Sequence, residues 1–253
     1  MLYARGLRSA CRLSLPDFLG IGAQKAGTTW LHENLRKHPQ LFLPEEKELH
    51  YFDWHYHEPL RSYALQFERA NGRVKGEITP GYATLTRERI AFVHRLMPAA
   101  RLILLLRNPI DRAWSQALMN LVTRPERAYE DVDEGEFRAH FESARSVLRG
   151  DYLATIDSWL SYYRPEQLYV GFYEDVSERP RELLKEVFAH LGVSTEVEWK
   201  DFPYEKVVHR GAGRPLPGAL RAMLADMYRD DLDRLVQRFG QRAERWQAAL
   251  TAQ

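Results

Sequence analysis

The chain is poor in several features that would place it in large functional classes. It has one cysteine, Cys11, in 253 residues. An intrachain disulfide is therefore excluded, a reducing compartment suits the chain, and the expected location is the cytoplasm. No apolar run approaches the length of a membrane span, so no membrane partner is expected. Neither sign of charge is in excess: 36 lysines and arginines stand against 35 aspartates and glutamates, a formal net charge of +1. There is no global field to recruit nucleic acid, and no nucleic-acid partner is expected; a local basic patch remains compatible with that balance. Internal repeats and low-complexity tracts are missing, and no metal-ligand cluster stands out, so no metal is expected. His55 and His57, flanking Tyr56, read as a surface pair. Nothing specifies an oligomeric state.

What is present is an ordinary globular composition, 45% hydrophobic and 28% charged, long enough for one large domain or two small ones. The first fifteen residues carry Arg5, Arg8 and Arg12 and no acid. That is faintly like a transit peptide, and a frayed basic terminus is the preferred reading. The organisation read from this is a basic tail over 1–16 and a single domain over 17–253.

The stretch with chemical content is Phe18-Leu-Gly-Ile-Gly-Ala-Gln-Lys25-Ala-Gly-Thr-Thr29-Trp30-Leu31. It reads as a short apolar strand, a tight glycine turn and the first turn of a helix. Such a turn leaves backbone N–H groups unpaired and aimed at one point, where the helix dipole adds positive potential. That is an anion site, most often for phosphate. Lys25 adds a charge, and Thr28 and Thr29 add hydroxyl donors. The glycine spacing of Gly22 and Gly27 is that of a Walker A loop, G-x-x-x-x-G-K-[ST], but Thr28 stands where the lysine belongs and Lys25 lies three residues earlier. No strand ends in a plain Walker-B aspartate, so the loop suits a phosphate-bearing donor without a kinase's metal clamp.

A second motif is Arg101-Leu-Ile-Leu-Leu-Leu-Arg107-Asn-Pro-Ile-Asp-Arg-Ala-Trp-Ser115. The apolar run predicts a strand buried on both faces. Arg107 follows at its carboxyl end, the edge of an open α/β sheet where ligands sit. Asn108 predicts an N-cap and Pro109 a first helical position. An arginine fork and the Ser115 hydroxyl, two turns on, are able to share one phosphate; the bland alternative for Arg107 is an ion pair with Asp111.

Lys25–Leu31 resembles the 5′-phosphosulfate loop of sulfotransferases that use 3′-phosphoadenosine 5′-phosphosulfate (PAPS), and 101–115 resembles their 3′-phosphate motif. The resemblance runs from Phe18 to the 210s and is strongest to bacterial and heparan-type members. It implies the sulfotransferase variant of the P-loop fold, PAPS as co-substrate and PAP as product. It further implies that Lys25, Ala26, Gly27, Thr28 and Thr29 hold the donor's 5′ end and that Trp30 packs by the adenine. Arg107 and Ser115 would take the 3′-phosphate. Arg210 and Gly211, in the glycine-bearing basic loop Val208–Pro215, would complete that site, against a simple surface turn as the alternative.

Two further residues concern the base. Leu41–Asp53 is loop-like and contains Lys47-Glu48-Leu-His50-Tyr-Phe52-Asp53, similar to a K-E-x-H-F-F-D run that carries the catalytic base in heparan-type relatives. Glu48 matches that position, and His50 is the rival base or an orienting residue. A solvated charge run is the alternative. Glu77, before Thr79-Pro80, reads equally as structural or functional; Tyr82 reads as a wall residue. Residues 121–150 predict either a lid that contacts the acceptor or a plain solvated helix pair. Gly150-Asp-Tyr152 matches a family G-x-Y pattern whose tyrosine faces the acceptor cleft.

Strand–helix alternation predicts a three-layer α/β fold with a mostly parallel sheet. Helices are expected over 28–37, 55–72, 87–96 and 216–239, and over a segment capped near Ser177 that ends at Gly192. The expected function is sulfuryl transfer from PAPS to a hydroxyl or amine of a carbohydrate or small-molecule acceptor. The alternatives are a P-loop small-metabolite kinase and a non-catalytic nucleotide-binding protein.

Overall fold

The computed structural model describes residues 13–206 and 213–251. Strand β1 (Phe18–Gly22) is buried along its whole length. It leads through a tight loop into α1 (Thr28–Leu35). A two-residue strand β2 (Leu41–Phe42) follows, then α2 (Leu60–Leu65) and β3 (Val74–Ile78). Helix α3 (Arg87–Leu96) precedes β4 (Arg101–Leu106), and α4 (Pro109–Leu118) leaves it. Next come α5 (Glu134–Glu142), α6 (Ala144–Gly150) and α7 (Tyr152–Leu160), and then β5 (Leu168–Phe172). The chain closes with α8 (Asp175–Glu178), α9 (Pro180–Leu191), α10 (Gly218–Phe239) and α11 (Gln241–Thr251).

The five strands form one sheet in the order β2-β3-β1-β4-β5, and every pairing is parallel. Gly20 of β1 stands opposite both Ile78 and Ile103, so the central strand is gripped from two sides. With both faces covered, β4 is apolar and buried from Leu102 to Leu106, as the sequence run predicts. After β1 the chain adds strands on one side, and after β3 it crosses to the other. A crevice therefore opens at the carboxyl end of β1, between the loops that leave β1 and β4. This is the three-layer α/β arrangement with a mostly parallel sheet expected from the alternation. No helix among the described residues is long and apolar enough to cross a membrane.

Several elements depart from expectation. The helix expected over 55–72 is a six-residue helix and a single 3-10 turn at Glu68–Ala70. Pro59 at the N-cap bars an earlier start, and Asn71 at φ 51° ends the turn. The segment still buries an apolar face made of Tyr63, Ala64 and Phe67. Strand β2 escapes sequence reading because two residues carry no periodicity. Ser177 does not cap the long helix: it lies within α8, and α9 begins at Pro180. Gly192 closes α9 in the left-handed conformation, as predicted. The 121–150 segment is not a free lid over its second half, since Phe137 of α5 and Phe141 are buried in the core.

Candidate active site

The loop after β1 is pinned at its base by the Ala23 N–H, which donates to the Leu105 carbonyl of β4 at 2.8 Å. Gly27 then serves as the N-cap of α1 at φ 86°, with no side chain capping the helix's first N–H groups. A Cβ there would lie 3.1 Å from the Tyr173 ring, in a backbone conformation that side chains resist, so this position suits glycine alone. Lys25 also lies in the left-handed region, at φ 71°. A non-glycine residue there costs on the order of 1–2 kcal/mol, a strain of the kind that gathers at functional sites. The Lys25 ammonium lies 3.9 Å from the Met119 sulfur. Burial lowers its pKa, and the charges of Arg107 and Arg124 lower it further.

Arg107 stands at the carboxyl end of β4, where Asn108 caps α4 by accepting from Ile110 N–H at 3.0 Å. Its guanidinium donates to the Lys25 carbonyl at 3.1 Å and stacks on Tyr173 at 4.5 Å. The ion pair with Asp111 is not formed, and Arg107 is instead bound into the loop around Lys25. Tyr152 supports it from behind: fully buried, it donates its hydroxyl to the Arg107 carbonyl at 2.8 Å. The expectation that Tyr152 faces an acceptor is therefore corrected, because its hydroxyl is spent inside the fold. Ser115 and Trp114 of α4 face the same cleft. The Trp114 indole N–H donates to the Arg214 carbonyl at 2.9 Å, which ties α4 to the end of the basic loop.

Glu48 and His50 share the unusual backbone of Lys25, with φ of 65° and 52°. The segment that carries them is held from below by a buried carboxylate. Glu77 accepts from the hydroxyls of Thr79, Tyr63 and Tyr82 at 2.6, 2.7 and 2.8 Å. The Tyr82 oxygen in turn accepts from Tyr51 N–H at 3.0 Å. Glu77 is thus structural, and Tyr82 is a supporting residue beneath the segment. Glu48 is in contact with the Lys47 ammonium and lies 3.4 Å from Nε2 of His50. Burial alone would raise the Glu48 carboxyl, but hydrogen bonds from His50 and Lys47 overcome it and hold the pKa at about 2. His50 Nδ1 bonds Asp53 at 2.8 Å. Burial would lower the imidazole, but Asp53 and Glu48 together raise it to about 9. His50 is thereby a protonated bridge between two carboxylates at neutral pH.

These parts meet in a cleft of about 660 Å³. Of the residues singled out in the sequence, Lys25, Gly27, Thr28, Thr29, Trp30, Glu48, Arg107 and Ser115 line it. Ala26 is buried behind the loop, and His50 stands behind Glu48 rather than in the wall. Arg210 and Gly211 lie outside the described residues, while the adjoining Gly213 and Arg214 do reach the cleft. Trp30 is almost wholly buried, with its indole N–H donating to the Tyr204 carbonyl at 2.9 Å. Sequence reading missed Arg124 and Tyr173. Arg124 follows a π-helical turn over Met119–Thr123 that continues α4, and Tyr173 directly follows β5, which pairs with β4. The rule that strand ends line the crevice would have found Tyr173; no local signal marks Arg124. Lys25, Arg107, Arg124 and Arg214 set four cations against two carboxylates, Glu48 and Asp111. The near-neutral chain thus concentrates positive charge where the helix dipole also points.

The acids after β5 do not serve the cleft. Glu174 accepts from the Trp246 indole at 2.7 Å, and Asp175 is bound by Arg179 and Arg242. Both carboxylates are bound into the fold.

The family model described as Sulfotransferase domain matches residues 15–209, well over half of the chain. Heparan sulfate glucosamine 3-O-sulfotransferase 6 of Homo sapiens is 29% identical over 253 residues, covering 91% of this chain and 73% of that protein. Membrane-associated sulfotransferase kil1 of Dictyostelium discoideum is 39% identical over 108 residues, which are 41% of this chain and only 23% of that protein. Among solved structures, a sulfotransferase from Alicyclobacillus acidocaldarius superposes with a TM-score of 0.73 at 25% identity, covering 92% of this chain and 99% of that one. The match of the family model, carried on a loop, a cationic cleft and a sheet order that agree with it, makes this chain a member of the sulfotransferase family.

Proposed function

We propose that the chain moves a sulfuryl group from PAPS to a hydroxyl or amine, with Lys25 on the leaving phosphate and Glu48 as the base. The observation that carries this is one cleft in which the Lys25 loop, the open N-terminus of α1, Arg107, Ser115 and Glu48 converge. The acceptor's lone pair forms the new bond to sulfur. The bond from sulfur to the bridging phosphate oxygen breaks, and PAP leaves with that electron pair. Negative charge grows on the bridging oxygen, so a fixed ammonium and helix N–H groups there act mainly on the transition state. The acceptor's proton passes to Glu48. In the free chain Glu48 is ionised but weakly basic, because Lys47 and His50 hold it. An acceptor hydroxyl that replaces Lys47 removes one of those donors and raises the basicity where the proton is taken. His50, already protonated, orients Glu48 and does not compete as a base.

Arg107 and Ser115, with Arg210 and Gly211 of the basic loop, would take the 3′-phosphate and so select PAPS over ATP or over adenosine 5′-phosphosulfate, which lacks that group. Ala26 shapes the loop through its backbone, and Trp30 forms the wall beside the adenine. We read 17–253 as one domain, the compartment as cytoplasmic on the strength of the single Cys11, and the acceptor as a carbohydrate or small molecule. The similarity to the human relative, a heparan sulfate glucosamine sulfotransferase, favours the carbohydrate.

Calorimetry with PAP and with ATP–Mg²⁺ tests the donor, and PAPS turnover against carbohydrate and small-molecule acceptors tests the reaction. PAP is expected to bind and ATP–Mg²⁺ to bind far more weakly. The reverse order would return the chain to the kinases, and PAP binding with no turnover on any acceptor would leave a nucleotide-binding protein.

A further inference from the structure

A second cleft of about 320 Å³ lies beyond His50, between the end of the Glu48 segment and α6. The imidazole is the partition. Its Nε2 edge faces Glu48 in the donor cleft, and its Nδ1 edge bonds Asp53 of the second cleft at 2.8 Å. Trp54 stacks on the same ring at 3.6 Å and nearly parallel, yet remains 54% exposed. Its free indole face and Leu148, 51% exposed, make the cleft's apolar wall.

The opposite chemistry comes from Arg145 and Arg149, which also line this cleft. Neither has an ion-pair partner among the described residues. The Nε of Arg149 is buried with no hydrogen-bond partner among them. Burial, then the guanidiniums of Arg145, Arg112 and Arg124, lower Arg149 to about 10, and the Asp53 carboxylate opposes them only in part. Asp53, the one carboxylate in the cleft, is already engaged by His50. The two arginines stand on a fixed support. Arg112 donates to the Ser146 carbonyl and the Tyr228 hydroxyl, both at 3.3 Å, and Gly150 lets Tyr228 pack directly on the end of α6. Residues that hold an unmatched charge on a rigid element are suited to binding rather than to stability.

Resting on the sulfuryl-transfer reading above, we propose that this second cleft is the acceptor subsite, and that it takes an acceptor with a ring flanked by an anionic group. Arg145 and Arg149 bind the anion, a carboxylate or a sulfate ester, by charge-assisted hydrogen bonds. Trp54 packs on the ring face. The acceptor then reaches past the His50 partition to place its nucleophile at Glu48. An exposed tryptophan and two unpaired arginines beside the base are explained together by such a ligand.

Equilibrium binding to the PAP-loaded chain tests this with three probes: phenyl β-D-glucuronide, phenyl β-D-glucoside and phenyl β-D-glucoside 6-sulfate. The two acidic probes are expected to bind roughly tenfold or more tightly than the neutral one, as one charge-assisted hydrogen bond implies. The better of the two identifies the anion as carboxylate or sulfate. Arg145→Gln and Arg149→Gln should each reduce that preference, and Trp54→Ala should weaken all three probes, with PAP affinity unchanged in every variant. Arg145 is exposed, so its variant reads the charge even where Arg149→Gln perturbs folding. Equal affinity for acidic and neutral probes, a preference that survives the arginine variants, or no binding of any probe to a PAP-loaded chain would overturn the subsite alone. Failure of the chain to bind PAP would instead overturn the donor reading, and the subsite with it.

Discussion

Arg107 donates to the backbone carbonyl of Lys25 across 82 residues of sequence, at 3.1 Å. Through this one bond the two motifs that are separate in the chain become one wall of the cleft. Arg107 also lies over the Tyr173 ring, 4.5 Å from its centroid, a second contact that holds its fork in place. Lysine keeps the charge but neither the fork nor the stacking. Arg107→Lys should therefore raise the Kd for PAP by about ten- to a hundredfold, the loss of one or two charged hydrogen bonds. Calorimetry reads the affinity, and a melting temperature close to wild type would show that the change is local.

Lys25 carries both a charge and a backbone penalty, which two substitutions separate. Lys25→Ala and Lys25→Gly both remove the ammonium from the leaving oxygen. Each should lower turnover by about 10²–10³, the scale of one lost transition-state donor. Glycine also relieves the left-handed conformation at φ 71°. Lys25→Gly should then be more stable than Lys25→Ala by about 1 kcal/mol, read in urea unfolding. Wild-type-like turnover in either variant would remove Lys25 from the mechanism, and equal stability would remove the strain.

His50 supplies the pH dependence. Its folded pKa, about 9, lies above its ordinary value of 6.5. The folded state therefore binds the proton more tightly than the unfolded one. The resulting stabilisation is fully present below pH 6.5 and is lost as pH rises towards 9 and through it. Glu48, held at about 2, stays ionised across that window. Stability should fall between pH 7 and pH 9.5 in the wild type, and more shallowly in His50→Asn. Turnover should fall in the same window as Glu48 loses its orienting donor. A rate that instead rises through pH 6–7, as a neutral histidine appears, would make His50 the base.

Glu48→Gln tests the complementary role. The amide keeps the size of the side chain and loses its ability to take a proton. Turnover should drop by about 10²–10⁴, the contribution of a general base, while PAP affinity stays within a small factor of wild type. A large loss of PAP binding would show that Glu48 shapes the donor site.

How much of this was legible depended on whether the signal was local. The strands β1, β4 and β5 announce themselves as apolar runs bounded by turn residues, and Lys25, Gly27, Arg107 and Ser115 sit at fixed offsets from the first two. Glu48 and His50 were visible as residues, but their relation was not. That His50 is a protonated bridge depends on Asp53 folding back against the ring, in a segment with left-handed backbone at Glu48 and His50. Tyr152 was misjudged for a related reason: a tyrosine beside a glycine reads the same whether its hydroxyl meets a ligand or the carbonyl of Arg107. Arg124 enters the cleft only because α4 runs on through a π-turn, a feature with no sequence pattern.

Glu77 shows what such hidden support contributes. Its carboxyl is buried, which raises its pKa, while the hydroxyls of Thr79, Tyr63 and Tyr82 donate to it and oppose the rise. Tyr82 then passes the support on by accepting from the backbone of Tyr51, two residues beyond Leu49 and three beyond Glu48. Glu77→Leu leaves three buried hydroxyls without their acceptor. The cost should be about 3 kcal/mol or more, a fall in melting temperature of roughly 6–12 °C for a chain of this size. Glu77→Gln keeps an acceptor for both tyrosines, and Thr79 is able to turn and accept from the amide, so about 1 kcal/mol is expected there. The same difference should appear in catalysis. Once Tyr82 loses its partner, the Glu48 segment loses its fixed height over the cleft. Glu77→Leu, assayed below its melting temperature, should lower kcat while PAP affinity, set by the Lys25 and Arg107 loops, holds. An unchanged kcat together with a large loss of stability would confine Glu77 to the core and break its link to Glu48.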